Sequence, residues 1–429
     1  MKKHRERPSL ETASVTAASW FQERLELLPV VRWLAKKNVP SHRHSWMYLF
    51  GGAAFFLFAC QAATGCLLML YYQPTEAAAH ASVRTIMTAV PYGWFVRSLH
   101  VWGAHLFIAT AGLHFLTVLF ARSYRKPREL TWVSGLVLLC LALAFGFSGY
   151  LLPWNELSYH ATLVGTSIPG VVPGIGGFFV HLLRGGEQVA GDTITRFFAA
   201  HVAIVPWSFG GALAIHLLLI QFQGMSLPLG TSPQQVQDRR PFFSEFVLID
   251  ASLWLVLLGV LATLAVWLPT EIGIQADPLQ PAPDGIKPEW YFLFLFQTLK
   301  HVPETLGVAW FALGALFFLG VPWLDRNASR ERRSLRFTAL FLALLAYALV
   351  FEIWAWLAPG VKHVQEELVA ETYRLSASLL SLVLFWGLIG FLLFCLRQLL
   401  CENTRIRKLY QQDLSMTGPG EKEDAQLSV

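Results

Sequence analysis

Charge is scarce in this chain. Only 14% of its 429 residues are Asp, Glu, Lys or Arg, whereas 55% are hydrophobic. This composition lies outside the range of soluble globular domains and indicates an integral membrane protein. Apolar runs long enough to cross about 30 Å of hydrocarbon predict eight spans at 47–72, 94–120, 132–152, 199–222, 246–268, 307–323, 335–357 and 375–400.

Cysteine is also scarce, and no pair of cysteines has the spacing of a metal site. The chain has five, none of them in a C-x-x-C or C-x-x-C-H pattern. The sequence therefore gives no signal for a zinc site or for covalent haem attachment.

The basic residues are unevenly divided between the two faces of the membrane. With eight spans, the loops at 121–131, 223–245 and 324–336 lie on the same side as both termini, and that side carries most of the 33 Lys and Arg. By the positive-inside rule both termini are predicted to be cytoplasmic, and the basic clusters indicate topology and not a nucleic-acid surface. The basic N-terminus continues into an amphipathic stretch, which predicts an interfacial helix and not a signal peptide.

A polar connection at 224–245 separates two groups of four spans. Two other connections, 153–198 and 269–306, fall on the opposite face and are rich in Gly and Pro yet apolar. We expect both to fold back onto the membrane surface and to wall a pocket for a lipid-like ligand. The predicted units are a cytoplasmic amphipathic segment at 1–46, a four-span domain at 47–223, a second four-span domain at 224–400 and a cytoplasmic tail at 401–429.

Two apolar spans each carry two histidines. His100 and His114 are fourteen residues apart, and His201 and His216 are fifteen apart. On an α-helix a fourteen-residue step rises about 21 Å and falls about 40° short of a whole number of turns, so each pair shares a face at two depths. One isolated histidine would be explained as a polar residue bonded to a neighbouring helix. Ionisable groups at membrane depth are costly and usually functional, and four in matched pairs predict two haems.

In this arrangement each iron takes one imidazole from each of the two helices. The predicted pairs are His100 with His201 near the outer side and His114 with His216 near the inner side. Arg97, at the outer end of its span, is expected either to meet a haem propionate or to anchor the span at the interface. Two further spans carry glycines fourteen residues apart, at which a backbone without Cβ can pass close to a porphyrin; these are Gly51, Gly65, Gly135 and Gly149.

Several motifs resemble the cytochrome b subunit of quinol-oxidising cytochrome bc complexes. They are "WFQERLEL", "GGAAFFLFACQAATG", "YGWFVRSLH", "KPRELTWVSG", "GFSGYLLPW" and "ITRFFAAH". This first half is most similar to the shorter cytochrome b of the photosynthetic plastoquinol complex, as is the histidine spacing. Later, "PEWYFLF" resembles the quinol-site motif of the next subunit of that complex, here fused into one chain. The resemblance covers residues 20–400.

The resemblance implies an all-α polytopic membrane protein of eight transmembrane helices with a four-helix di-haem bundle. It implies two non-covalent b-type haems and two quinone pockets, in a homodimeric complex of a bacterial cell (inner) membrane. Quinol oxidised at the outer site would give one electron to a Rieske-type iron–sulfur protein, on the way to a c-type cytochrome. The other electron would pass through the haems to an inner quinone site, coupled to proton translocation.

Site residues follow from the same resemblance. At the outer pocket Glu289 would accept a proton from the quinol and Tyr291 would shape the pocket, whereas the residues alone favour a surface acid at Glu289. Glu156 and His160 replace neutral residues in the wall of that pocket. They would either join the proton exit or face the aqueous loop.

The sequence departs from the family near the inner side. Leu49 stands where photosynthetic members carry the cysteine of an extra covalent haem, so no such haem is expected. Gln221 stands where members usually carry Arg or His. Asp250 matches a family acid and Glu245 lies nearby, so the inner-site proton donors stay open among these residues.

Two other functions remain to be compared with this one. A di-haem membrane anchor that passes electrons between quinone and an extrinsic dehydrogenase would explain the histidines. It would not explain the second four spans or "PEWY". A transporter would need coupling-ion carboxylates at mid-membrane, and these spans have almost none.

Overall fold

The computed structural model describes residues 37–358 apart from positions 43, 228, 230, 232–235, 237–238 and 284–285, together with 19–20, 22–24 and 29. The predicted eighth span at 375–400, the tail at 401–429 and most of the segment at 1–46 lie outside the described residues. Within them the helices are joined by turns and loops, and the strands form one two-stranded antiparallel sheet, β1 (Asn38–Pro40) with β2 (Arg239–Pro241). The all-α polytopic class is confirmed.

Seven helical segments among the described residues are long and apolar enough to cross a membrane. They are Ser45–Met69, Gly93–Phe120, Glu129–Tyr150, Gly191–Gln223, Val247–Trp267, Glu304–Ser329 and Leu335–Leu357. They correspond to the first seven predicted spans, and even the short run predicted at 307–323 is part of a full-length one. The fourth begins earlier than predicted, because an amphipathic helix leads directly into the apolar run.

The helices, in chain order, are α1 Leu49–Met69, α2 Ala79–Thr88, α3 Gly93–Phe120, α4 Glu129–Tyr150, α5 Glu156–Ser167, α6 Gly176–Arg184, α7 Gly191–Ala199, α8 Val205–Gln223, α9 Val247–Trp267, α10 Trp290–His301, α11 Glu304–Leu324, α12 Arg326–Ser329 and α13 Leu335–Leu357. One π turn, Ala200–Ile204, joins α7 to α8. Pro206 follows it and has no N–H to donate four residues back, so the ladder widens at this point.

The first four spans form a bundle in which α1 packs along α3 and α4 packs along α8. Each of these helices contributes one phenylalanine to a cluster at mid-height. The Phe209 ring centroid lies 4.4 Å from that of Phe58, 5.8 Å from that of Phe107 and 5.7 Å from that of Phe145. This aromatic layer lies between the two levels at which the paired histidines occur.

The two long outer connections are bonded to each other. The Ala276 N–H donates to the Trp154 carbonyl at 3.0 Å, and the Glu156 N–H donates to the Ile274 carbonyl at 3.0 Å. The Asn155 side-chain amide donates to the Ile272 carbonyl at 2.7 Å. These hydrogen bonds therefore hold the two connections against each other.

A buried ion pair joins the two halves at the opposite face. The Arg122 guanidinium lies 3.1 Å from the Asp325 carboxylate, and both side chains are almost fully buried. The Tyr124 hydroxyl donates to the same carboxylate at 2.8 Å. Removing one partner of such a pair would leave an uncompensated buried charge, so this cluster fixes the loop after α3 against the start of α12.

Candidate functional site

The outer pair of histidines meets between α3 and the π turn. The ring centroids of His100 and His201 lie 6.3 Å apart, and the two rings are nearly perpendicular, at 78°. An atom midway between them would lie about one metal–nitrogen bond, about 2 Å, beyond each ring edge. The pair therefore fits one metal atom held by two imidazoles, as in a haem with two axial histidines.

Hydroxyl side chains fix the tautomers of these two rings. Thr64 Oγ1 lies 2.9 Å from Nδ1 of His100, and Ser148 Oγ lies 3.1 Å from Nδ1 of His201. Each hydroxyl donates its own hydrogen to a backbone carbonyl one turn earlier, at 2.7 Å. Each hydroxyl oxygen must then accept from Nδ1–H, which leaves the Nε2 lone pair of both histidines free for a metal.

In the inner pair, a hydroxyl side chain orients only one of the two rings, that of His216. His114 and His216 lie close enough to interact electrostatically. Ser134 Oγ lies 2.8 Å from Nδ1 of His216 and donates to the Thr131 carbonyl at 2.9 Å, which again leaves Nε2 of the ring unprotonated. Nδ1 of His114 is buried and has no hydrogen-bond partner. The two rings of this level are therefore held unequally.

The four glycines predicted to approach a porphyrin each face one histidine ring. A Cβ built on each would lie close to Cε1 of that ring, at 3.3 Å for Gly51 and His114, 3.2 Å for Gly65 and His100, 3.3 Å for Gly135 and His216, and 2.7 Å for Gly149 and His201. Real Cβ atoms are almost never found closer than 3.0 Å to such an atom. The close approach in the structure is thus to the imidazoles, and a methyl group at Gly149 would displace its ring.

Arg97 is engaged by the second long connection. Its guanidinium is buried and donates to the Thr270 carbonyl at 2.8 Å and to the Glu271 carbonyl at 3.0 Å. Arg97 therefore holds residues 270–271 by hydrogen bonds. A haem propionate at this position would have to accept from the N–H groups of Arg97 that remain.

Glu289 lies in a crevice beside α3 and not on an open surface. Its carboxylate Oε2 lies 3.9 Å from Nδ1 of His105, and its side chain is only 28% exposed. Burial raises the pKa of the Glu289 carboxyl above its usual value. Tyr291, two residues on, places its hydroxyl against Gly146 of α4, where an added Cβ would lie 2.8 Å away. The alternative of a surface acid is wrong for Glu289.

His105 belongs to this crevice, although the sequence analysis did not single it out. The indole N–H of Trp290 donates to Nδ1 of His105 at 3.2 Å. The available signal was a third histidine in the span that already holds His100 and His114. Its neighbours come from a segment almost two hundred residues away, so the sequence alone did not reveal the contact.

Glu156 and His160 both lie in α5, within the outer connection. His160 is buried, its Nε2 has no hydrogen-bond partner, and burial lowers the pKa of its imidazole. Of the two alternatives for His160, its burial disagrees with the one in which it faces the aqueous loop. Among the residues that the structure describes, no hydrogen bond or ion pair links either side chain to Glu289.

The residues predicted for the inner site are not joined to one another. Asp250 is buried, and its carboxylate faces Gly52, where an added Cβ would lie 2.4 Å from Oδ2. The Gln221 carbonyl accepts a hydrogen bond from Lys37, and Glu245 lies exposed in a π turn, Phe242–Phe246. Within the described part of the chain no hydrogen bond or ion pair connects the three side chains. Of these three residues, Asp250 is the one whose carboxylate faces the first helix of the bundle, α1.

Comparison with known proteins gives two family matches. Residues 34–224 match the family described as cytochrome b/b6/petB, and residues 275–381 match cytochrome b(C-terminal)/b6/petD. Together the two matches include most of the chain, and the segment between them, 225–274, contains most of the polar connection and α9.

Individual relatives agree with these matches. The chain is 46% identical over 349 residues to the cytochrome bc complex cytochrome b subunit of Chlorobaculum thiosulfatiphilum, covering 80% of this chain and 81% of the relative. It is 41% identical over 216 residues to cytochrome b6 of Prochlorococcus marinus strain AS9601, covering 50% of this chain and 99% of the relative. A solved structure described as hyperthermophilic respiratory Complex III matches with a TM-score of 0.71 and 30% identity, covering 80% of this chain and 91% of that one.

Proposed function

Because this chain belongs to the cytochrome b/b6 family and carries both the N-terminal and the C-terminal domain of that family, we propose that it oxidises quinol at an outer site and passes one electron inward to a second quinone site. It is a cytochrome b subunit of a bc-type complex, a multi-pass membrane protein and an oxidoreductase component that uses haem. The observation that carries the finer proposal is the Glu289–His105 crevice, which lies in the same bundle as the two histidine pairs.

The proposed haem ligands are the two histidine pairs. His100 and His201 would hold the outer b-type haem through their Nε2 atoms, and His114 and His216 would hold the inner one. When bound, the haems carry one of the two quinol electrons from the outer to the inner side of the membrane. A glycine lies opposite each ring, where it leaves room for the imidazole and places no side chain of its own in the space between the helices.

At the outer pocket Glu289 accepts a proton from the quinol. A buried carboxyl whose pKa is raised is better matched to proton transfer near neutral pH than an exposed one. Tyr291 shapes the pocket by packing its ring against α4. At the inner side Asp250 is the proposed proton donor to the quinone, with Gln221 and Glu245 nearer the membrane surface.

The proposal includes the rest of the complex. A Rieske-type iron–sulfur protein takes the other electron and passes it to a c-type cytochrome, in a homodimeric assembly. The membrane is a bacterial cell membrane with both chain termini on the cytoplasmic side, in agreement with the excess of Lys and Arg in the loops on that side.

The direct test measures haem and turnover in the purified complex. We expect a reduced-minus-oxidised spectrum with two b-type haems of different potential, and quinol oxidation that stops with an inhibitor of the outer site. A complex with no haem signal would contradict the proposal. Two haems without inhibitor-sensitive quinol oxidation would favour the membrane-anchor alternative, since an anchor needs the histidines but not the "PEWY" pocket.

The hydroxyl beside His100 gives a smaller, specific prediction. Thr64→Val keeps the shape of the side chain but removes the acceptor of Nδ1–H, which weakens electron donation by the imidazole to the iron. We expect the midpoint potential of one haem to rise by about 40 mV, since a hydrogen bond contributes about 1 kcal/mol. Redox titration measures this. Thr117→Val is the matched control, because Thr117 donates to the His114 backbone carbonyl and to neither ring.

A further inference from the structure

His105 has no part in either histidine pair. It lies in α3 five residues, or about 7.5 Å along the helix axis, inward of His100. Its side chain is 22% exposed, comparable with the 28% of Glu289 beside it. Two basic groups of different chemical type therefore open into the same crevice, and the proposed function uses only one of them.

The hydrogen bond from Trp290 determines the protonation of His105. An indole N–H can only donate, so Nδ1 of His105, 3.2 Å away, must accept and the ring proton must sit on Nε2. The ring is neutral, and its basic nitrogen points to the side where Glu289 lies at 3.9 Å. Nδ1 of His105 is thus the basic atom next to the carboxylate, and it can take a proton once the hydrogen bond from Trp290 is released.

The other titratable groups around this pair are tyrosines. The Tyr291 ring centroid lies 6.4 Å from that of His105, and Tyr150 at the end of α4 interacts electrostatically with Glu289. Trp102 packs beside His105 on the same helix, with ring centroids 5.6 Å apart. Near neutral pH the tyrosines keep their protons, so among the residues that the structure describes Glu289 and His105 are the two bases that face the crevice.

We propose that His105 is a second proton acceptor for the quinol at the outer site, acting beside Glu289. The inference rests on the proposed function and deepens it. When quinol is oxidised, an O–H bond of the substrate breaks and an N–H bond forms at Nδ1 of His105, in place of the hydrogen bond from Trp290. The nearby Glu289 carboxylate stabilises the resulting imidazolium.

The proposed function supplies an acceptor for every electron and proton that the quinol loses. The two electrons go to the iron–sulfur partner and to the outer haem, and both O–H bonds of the quinol break as the substrate becomes quinone. One of the two protons leaves for the outer aqueous phase by way of Glu289 or His105, and the other leaves to water on the same side. Because either base takes the proton directly, losing one leaves the other in place. Two acceptors in parallel predict that the double variant is impaired by more than the product of the two single effects.

A purely structural function for His105 makes a different prediction. If the ring served only to accept the hydrogen bond from Trp290, His105→Asn would behave like the wild type. Asparagine keeps a hydrogen-bond acceptor close to the position of Nδ1 but cannot take a proton. His105→Ala removes both properties, so the pair of variants separates proton transfer from the holding of Trp290.

The experiment uses the purified complex and measures kcat and KM for quinol at several pH values. We expect His105→Asn and Glu289→Gln each to lower kcat up to about tenfold, with KM little changed, and the double variant to lower it at least about 1000-fold. The remaining turnover of Glu289→Gln should rise with pH as the imidazole of His105 loses its proton, and adding His105→Asn should abolish that rise. His44→Gln, an exposed histidine before the first span, is the matched control.

Each other outcome overturns the inference. Wild-type turnover in His105→Asn together with a loss in His105→Ala would show that His105 only holds Trp290. A double variant no slower than Glu289→Gln would show that His105 accepts no proton, while the proposed function would stand. A wild-type complex with both haems but no inhibitor-sensitive quinol oxidation would overturn both. Haem spectra of every variant show that the bundle has assembled.

Discussion

His201→Leu is expected to remove one of the two haems and leave the other. Leucine fills the space of the ring but offers no lone pair, so the outer iron would keep only His100. The inner pair is separated from this level by the phenylalanine cluster and retains its own imidazoles. We expect the haem content per chain to fall by half and quinol oxidation to stop.

The measurement is haem content with a redox titration of the reduced-minus-oxidised spectrum. His216→Leu should remove the haem of the other potential, so the two variants assign the two redox components to the two levels. His181→Leu, on the exposed side of α6, should keep both haems. Loss of both haems from a folded His201→Leu complex would contradict two independent levels, and full haem content would contradict the ligand assignment.

These expectations show which parts of the site depend on local sequence. The spans were predictable because lipid requires about twenty consecutive apolar residues, and this property can be read from one segment alone. The histidine levels were predictable for a similar reason, since helical rise and rotation convert spacing along one span into depth and direction. The resemblance to cytochrome b then placed Glu289, which the residues around it would have left on the surface.

Contacts between distant segments could not be predicted in this way. The sequence placed Arg97 near the membrane interface, but its partners at Thr270 and Glu271 come from a connection whose path depends on the whole fold. His105 was missed for the same reason, because only the packing of α10 against α3 brings Trp290 to it. The hydroxyls that orient His100, His201 and His216 lie on different helices from those rings, so spacing within a span does not reveal them.

The second large effect is expected at the glycines that face the histidine rings. Its size should depend on how close an added Cβ comes to the ring. In Gly149→Ala the new Cβ would lie 2.7 Å from Cε1 of His201, a contact that real side chains almost never make. The ring cannot move away without losing its hydrogen bond to Ser148, the neighbour of that glycine. We therefore expect loss of most of the outer haem, measured as haem content in purified protein.

Gly51→Ala should be much milder, although Gly51 in α1 also faces a histidine ring, that of His114 at the inner level. The new Cβ would lie 3.3 Å from Cε1 of His114, so a shift of a few tenths of an ångström relieves the contact. Because Nδ1 of His114 has no hydrogen-bond partner, its ring moves at little cost. Gly210→Ala, where an added Cβ meets nothing within 4 Å, controls for the gain in helix propensity. Equal haem loss at Gly149 and Gly51 would mean that the unequal holding of the rings has no effect on cofactor binding; a loss confined to Gly149 would show that the hydroxyl and the glycine act together to fix His201.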